Sequence, residues 1–249
     1  LSSSFSDDKT PWTALAVALR SGYDKAMDCI RQARSPGNRL RPHAAFTLIE
    51  ILVIAVIIAF VLILVFSTLP RRKQMARRLQ CANNLKQIGL AFKLWPGDDN
   101  KYQMQKPVKY GGTQDLIPTG QASPHFRVMS NELASPKLLF CPSDTTRSGA
   151  ANFLSLTDSN ISYWVNVDLD EGFPDCWMSG DRNLSTNGSP IPHGLVILKT
   201  NTVVGWQNNL HVLKGNVLLC DGSVQQPSAT ILPGLLSRSG METNRLAVP

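Results

Sequence analysis

Several common chemical signatures are missing from this 249-residue sequence. No two of its five cysteines stand at Cys-x-x-Cys spacing, which excludes a zinc ribbon and a thioredoxin-like redox pair. Ser143 follows Cys141-Pro142 without a Gly-x-Ser-x-Gly elbow, so the usual serine-hydrolase setting is absent. No internal repeat is visible, which excludes a solenoid. No basic stripe interleaved with aromatics marks a nucleic-acid surface. The net charge of +7 is mild and divides into +3 over residues 1–45 and +4 over the rest. It fits a solvated surface with a basic cluster beside an apolar run, and no nucleic-acid partner is expected.

What the sequence does have is that run. Phe46 to Leu69 is 24 residues long, and Glu50 is its only charge. As an α-helix it reaches roughly 36 Å, enough to cross a hydrocarbon core of about 30 Å with some tilt. It has no polar face, unlike a helix that lies on a membrane surface. It is also longer than the core of a signal peptide. A transmembrane helix over 46–69 is therefore expected, with residues 1–45 as a leader or N-terminal extension.

Helical spacing resumes directly after Pro70, so the proline is expected to kink the helix rather than end it. Met75, Leu79, Ala82, Leu85, Ile88, Phe92 and Trp95 recur at steps of three and four, and Pro96-Gly97-Asp98-Asp99-Asn100 stops the pattern. Residues 70–95 thus read as an amphipathic continuation. Its apolar stripe requires a partner surface, and a sheet built from residues 96–249 is the natural one. Strand candidates there are Phe126–Met129, Leu138–Cys141, Ile161–Val167, Leu195–Leu198, Thr202–Trp206 and Asn216–Cys220. Asp221-Gly222 predicts a hairpin with positive φ at both turn positions. The region 96–125 and the tail after Pro227 read as loop-rich. The fold class expected is α+β.

Phe46-Thr47-Leu48-Ile49-Glu50-Ile51-Leu52-Val53 resembles the prepilin signature of type IV pilins and type II secretion pseudopilins. The resemblance implies cleavage between Ala45 and Phe46 by a prepilin peptidase, followed by methylation of the new amine. Ala45 stands where that family carries Gly. The resemblance also implies that Glu50 pairs with the Phe46 amine of a neighbouring subunit during assembly, a pairing that a low-dielectric core favours. Gln80 to Ala91, Phe140-Cys141-Pro142-Ser143-Asp144, and His211 ahead of Asp221-Gly222 are similar to the pseudopilin-like proteins numerous in Planctomycetes and Verrucomicrobia. The fold so implied is pilin-like, one long helix packed on a small antiparallel β-sheet head. The implied partners are the peptidase, other pilin or pseudopilin subunits and the inner membrane, with the head in the periplasm. Orientation rests on the resemblance alone. Arg31, Arg34, Arg39 and Arg41 precede the span, and Arg71, Arg72, Lys73, Arg77 and Arg78 follow it, so charge does not decide the topology and even leans the other way.

Three candidate sites remain. His211 and Asp221 suit a general base and its orienter, but no nucleophile or second acid accompanies them, and no enzyme is expected. Asp168, Asp170 and Asp175, with Glu171 among them and Asp181 beyond, offer oxygen ligands for Ca²⁺; the major pseudopilin of type II secretion binds calcium in its head, although the spacing here is not that of an EF-hand. Loss of a leader carrying Cys29 leaves four cysteines, which either pair, with three possible connectivities, or serve as small buried hydrophobes. A second function stands beside fibre assembly: a single-pass anchored module whose head binds a ligand such as a glycan. That function would use Trp164, Trp177 and Trp206 if they are exposed rather than packed in the core.

Overall fold

The computed structural model describes residues 47–96, 101–170 and 172–249. The expected leader, residues 1–45, and the expected cleavage pair Ala45 and Phe46 lie outside these residues. The chain divides into two compact units, Leu1–Phe60 and Val61–Pro249.

The described part of the first unit is the start of a 47-residue helix, α1 (Leu48–Leu94). Thr47 stands at the position before the helix, and its Oγ1 accepts the Glu50 amide at 3.3 Å. Thr47-Leu48-Ile49-Glu50 is thus a capping-box sequence, with an acidic residue in the positive first turn of the helix. The segment Leu48–Phe66 is long and apolar enough to cross a membrane, at 19 residues or roughly 28 Å, and none of it is buried. The helix runs through Pro70 without ending, as the spacing predicts.

In the second unit α1 turns amphipathic. Cys81, Leu85, Ile88, Ala91 and Phe92 are fully buried. Each large side chain among them contributes about 2 kcal/mol by leaving water. Phe92 meets Tyr102 and Phe126 edge-on, with ring centroids 6.3 and 6.2 Å apart. Gly89 lets the helix approach the sheet: a Cβ there would stand 2.8 Å from Leu218 Cδ1.

The partner surface is a six-stranded antiparallel sheet in the order β5-β9-β1-β2-β7-β8. Its strands are β1 (Tyr163–Asn166), β2 (Trp177–Asp181), β5 (Gly194–Lys199), β7 (Val217–Leu219), β8 (Val224–Gln225) and β9 (Thr243–Val248). A second, three-stranded sheet, β4-β3-β6, comprises β3 (Leu184–Thr186), β4 (Ser189–Pro190) and β6 (Val204–Trp206). Tyr163, Val165 and Met178 belong to the core that includes α1. Trp164, Trp177, Val217 and Leu219 belong to a second core with Leu184, Val204 and Trp206 of the smaller sheet and Leu232 and Leu236 of a short helix, Leu232–Ser237. Trp164 and Trp177 stack there, 5.7 Å apart at 26°. Layers therefore cover both faces of the central strands. This is the α+β, pilin-like layout.

Two strand expectations fail. Phe126–Met129 begins in a short helix, Ser123–Arg127, where Pro124 suits the first turn, and continues as a turn. Leu138–Cys141 begins inside the 3₁₀ turn Pro136–Leu139, capped by Ser135 Oγ accepting the Lys137 amide. The tail after Pro227 is not all loop, since it holds the short helix and β9, which pairs with β5 on one side and β1 on the other. The hairpin forms, with Val217 opposite Gln225 and Leu218 opposite Val224. Its turn differs from expectation: Gly222 has φ +89°, but Asp221 is not in the positive region. The Gly222 amide donates to Leu219 O and the Leu219 amide to Ser223 O, which fits a three-residue loop closed by a glycine bulge.

The four cysteines pair as Cys81–Cys141 and Cys176–Cys220, each with Cα atoms 5.4 Å apart. The first ties α1 to the loop after the 3₁₀ turn. The second ties the approach to β2 to the end of β7. With the apolar helix, the two disulfides indicate a membrane-anchored, extracytoplasmic domain.

Candidate functional site

Two features of the chain carry chemistry or contact beyond packing. One is the solvent side of α1. Met75, Leu79, Leu90 and Leu94 are 77, 66, 58 and 59% exposed. At about 100° per residue they share one sector of the helix, opposite Cys81, Leu85, Ile88 and Phe92. Asn83 and Lys86 lie in the same sector, so the stripe is apolar at both ends and polar in the middle. Glu50 also lies exposed, and its carboxylate has no partner among the described residues.

The other is a buried polar cluster behind the first disulfide. Asp181 ends β2 and is fully buried. Its Oδ2 accepts the amide and the Nδ2 of Asn216, both at 2.8 Å, and lies 3.3 Å from His211 Nε2. Its Oδ1 has no partner among the described residues. His211 is 7% exposed, and its Nε2 is 3.4 Å from Cys141 Sγ. After His211 the backbone takes positive φ at Val212 (+52°) and Leu213 (+57°), uncommon for such residues and an outlier for the branched one. Arg78 on α1 donates to Gly215 O at 3.0 Å. Burial lowers its pKa, and the charge of Asp181 opposes that. Asn84, one turn and a half along, reaches Phe140 O and the Tyr163 hydroxyl. Burial, reinforced by Asp181, pushes the Tyr163 phenol well above its ordinary range.

The adjoining motif Phe140 to Asp144 has a structural explanation. The Asp144 amide donates back to Cys141 O, and its carboxylate takes two hydrogen bonds from Arg182, at 2.6 and 2.7 Å, with Ser162 and Thr146 adding theirs. Burial works to raise this carboxyl, but the Arg182 bonds and charge with the two hydroxyls outweigh it and hold the pKa below the ordinary value. Asp181 and Arg182 are consecutive, and each serves one half of the network.

His211 and Asp221 are not partners. Asp221 is exposed at the hairpin tip, where Oδ1 accepts the Ser223 amide and its carbonyl accepts Lys93 Nζ at 2.6 Å. Asp181, known from sequence only as the outlier of an acidic loop, is the residue that meets His211. No spacing in the sequence signals that meeting.

Two of the three carboxylates offered for calcium have other partners. Both oxygens of Asp168 accept from Arg245, whose guanidinium already supplies the positive charge. Asp170 Oδ1 accepts the Gly172 amide in a local turn, and Asp175 is exposed. Among the described residues these carboxylates do not converge, and the one convergent group of metal-type donors is Cys81, Cys141 and His211. The tryptophans offered for a glycan are not exposed: Trp164, Trp177 and Trp206 are all buried. Their role is the second core.

Residues 71–102 match the model of a family described as "Protein of unknown function (DUF1559)". The matched segment holds Arg78, Cys81 and Asn84, the three residues through which α1 enters the buried cluster, and the whole exposed stripe. No curated protein and no solved structure matches the chain. The similarity is thus to a family without an assigned activity, and it falls on the amphipathic half of the helix.

Proposed function

We propose that this chain is a structural, pilin-like subunit. It is inserted in the inner membrane with its head in the periplasm, cut between Ala45 and Phe46 by a prepilin peptidase, methylated, and assembled through its helix into a pseudopilus or a type IV pilus-like fibre. The observation that carries this reading is the uncovered apolar surface of α1, which extends past Leu48–Phe66 to Met75, Leu79, Leu90 and Leu94. A lone anchor needs apolar surface only inside the bilayer. A helix that packs against others in a fibre needs it further along. Glu50, the one acidic group in the span, supplies the charge for a neighbour's amine.

The buried setting of His211 supports an assembling role over an enzymatic one. Intact mass and N-terminal sequencing of the membrane-extracted protein should give a chain starting at methylated Phe46. Glu50→Ala should stay in the membrane and drop out of sheared fibres. Recovery of the variant in fibres at the wild-type level would overturn the pairing mechanism. A chain that retains its leader would overturn the processing.

A further inference from the structure

The buried cluster has a property that fibre assembly does not use. Cys81 Sγ, Cys141 Sγ and His211 Nε2 all lie within 4.8 Å of one another, and all three residues are buried. They come from α1, from the loop after the 3₁₀ turn, and from the loop before β7, so no local turn accounts for their meeting. The imidazole directs Nε2 at sulfur and at Asp181 Oδ2, 3.4 and 3.3 Å away. The other Asp181 oxygen, fully buried, lacks a partner among the described residues.

We infer that, when the Cys81–Cys141 disulfide is reduced, the chain binds a zinc-class divalent cation through Cys81, Cys141 and His211. Two thiolates and an imidazole nitrogen form a borderline-soft, three-donor set that leaves a fourth position for water. It suits zinc and excludes calcium and magnesium, which take oxygen ligands. Charge supports the set: two thiolates neutralise the cation, and Arg78 faces the remaining charge of Asp181. The disulfide and the ion are mutually exclusive, because sulfurs bonded to each other carry no thiolate charge. A dithiol reductant breaks the S–S bond, delivers two electrons and two protons to Cys81 and Cys141, and itself becomes a disulfide. The cation then displaces the two thiol protons. Oxidation by a disulfide of another molecule reverses both steps and expels the ion.

The test uses the full chain in detergent micelles on a background of Cys29→Ser, Cys176→Ala and Cys220→Ala, so that Cys81 and Cys141 are its only thiols, reduced with a phosphine and desalted without air. Cobalt(II) is the probe, because thiolate coordination gives a near-ultraviolet charge-transfer band and four-coordination gives intense visible bands. The reduced chain should bind one cobalt with both signatures and release it to zinc, and the oxidised chain should bind none. His211→Gln, which keeps both cysteines, should weaken binding by more than about tenfold. Cys81→Ser with Cys141→Ser should abolish it. The inference is overturned by a reduced chain without thiolate–cobalt absorption, by unchanged affinity in His211→Gln, or by absorption that survives loss of Cys81 and Cys141.

Discussion

His125 should make the head lose stability in mild acid. The side chain is fully buried, with Nδ1 2.7 Å from Thr113 Oγ1, while its backbone carbonyl accepts Gln103 Nε2. Burial lowers its pKa from 6.5 to about 4, against the opposing pull of Asp158. In the unfolded chain the imidazole takes a proton near 6.5. In the folded chain it does so only near 4. Between those values the unfolded state binds more protons, so stability falls as pH falls through that window. It is whole above the unfolded value, and the loss is complete below the folded one. At about 1.4 kcal/mol per pH decade the gap amounts to roughly 3 kcal/mol. That is a large share of the 5–15 kcal/mol that holds a typical domain together. The assay is urea unfolding of the full chain in micelles, followed by the fluorescence of the buried tryptophans near pH 7 and at about pH 4.5. His125→Gln should start less stable and change less between the two conditions. Parallel losses in wild type and variant would refute the assignment to His125.

Three further outcomes are expected. Asp144 lies on the other side of the acid range: its depressed carboxyl contributes stability that is whole above the ordinary carboxylate value and is lost as pH falls through its lower folded value. Asp144→Asn, which leaves the largely buried Arg182 without its charge partner, should cost about 3 kcal/mol in urea unfolding at neutral pH. Serine at both Cys81 and Cys141 frees a closed loop with a sequence separation of 60 and should lower stability by about 4 kcal/mol on the loop-entropy model, read as a shift in the urea midpoint. Gly180→Ala should destabilise by about 2 kcal/mol and lower Tm, since the added Cβ would stand 2.5 Å from Trp164 Cζ2 and 2.8 Å from Asn216 O.

The helix was the most legible part of the chain. Its period persists through Pro70, and its stop signal falls where the helix ends. Four of the six strand candidates are strands. The misses share a cause. β2 is buried on both faces, so Trp177–Asp181 shows no alternation, and its Ser and Gly suggest a loop. β9 contains Asn244 and Arg245, polar residues whose distant partners are Asn166 for the first and Asp168 for the second. Read locally they look like a tail. The site follows the same rule. His211 stood out in the sequence, but its partner Asp181 arrives from the end of β2, and Cys81 and Cys141 arrive from segments more than 60 positions away. The acidic loop misled in the opposite sense: its charges cluster in sequence, yet Asp168 is paired with Arg245, 77 residues later.

The two disulfides also determine how the molecule would respond to being pulled. Tension applied through α1 crosses from Cys81 to Cys141 through a covalent link, and the chain between them is left slack. At about 3.5 Å per extended residue, a separation of 60 hides roughly 200 Å of contour length. The Cys176–Cys220 bond, with a separation of 44, hides roughly 150 Å more. Within the first loop lie Phe92, Tyr102 and Phe126, the aromatic heart of the helix-side core, which a stretching force cannot unravel while the bond is closed. The chain is therefore a short tether in its oxidised form and a long, compliant one when reduced.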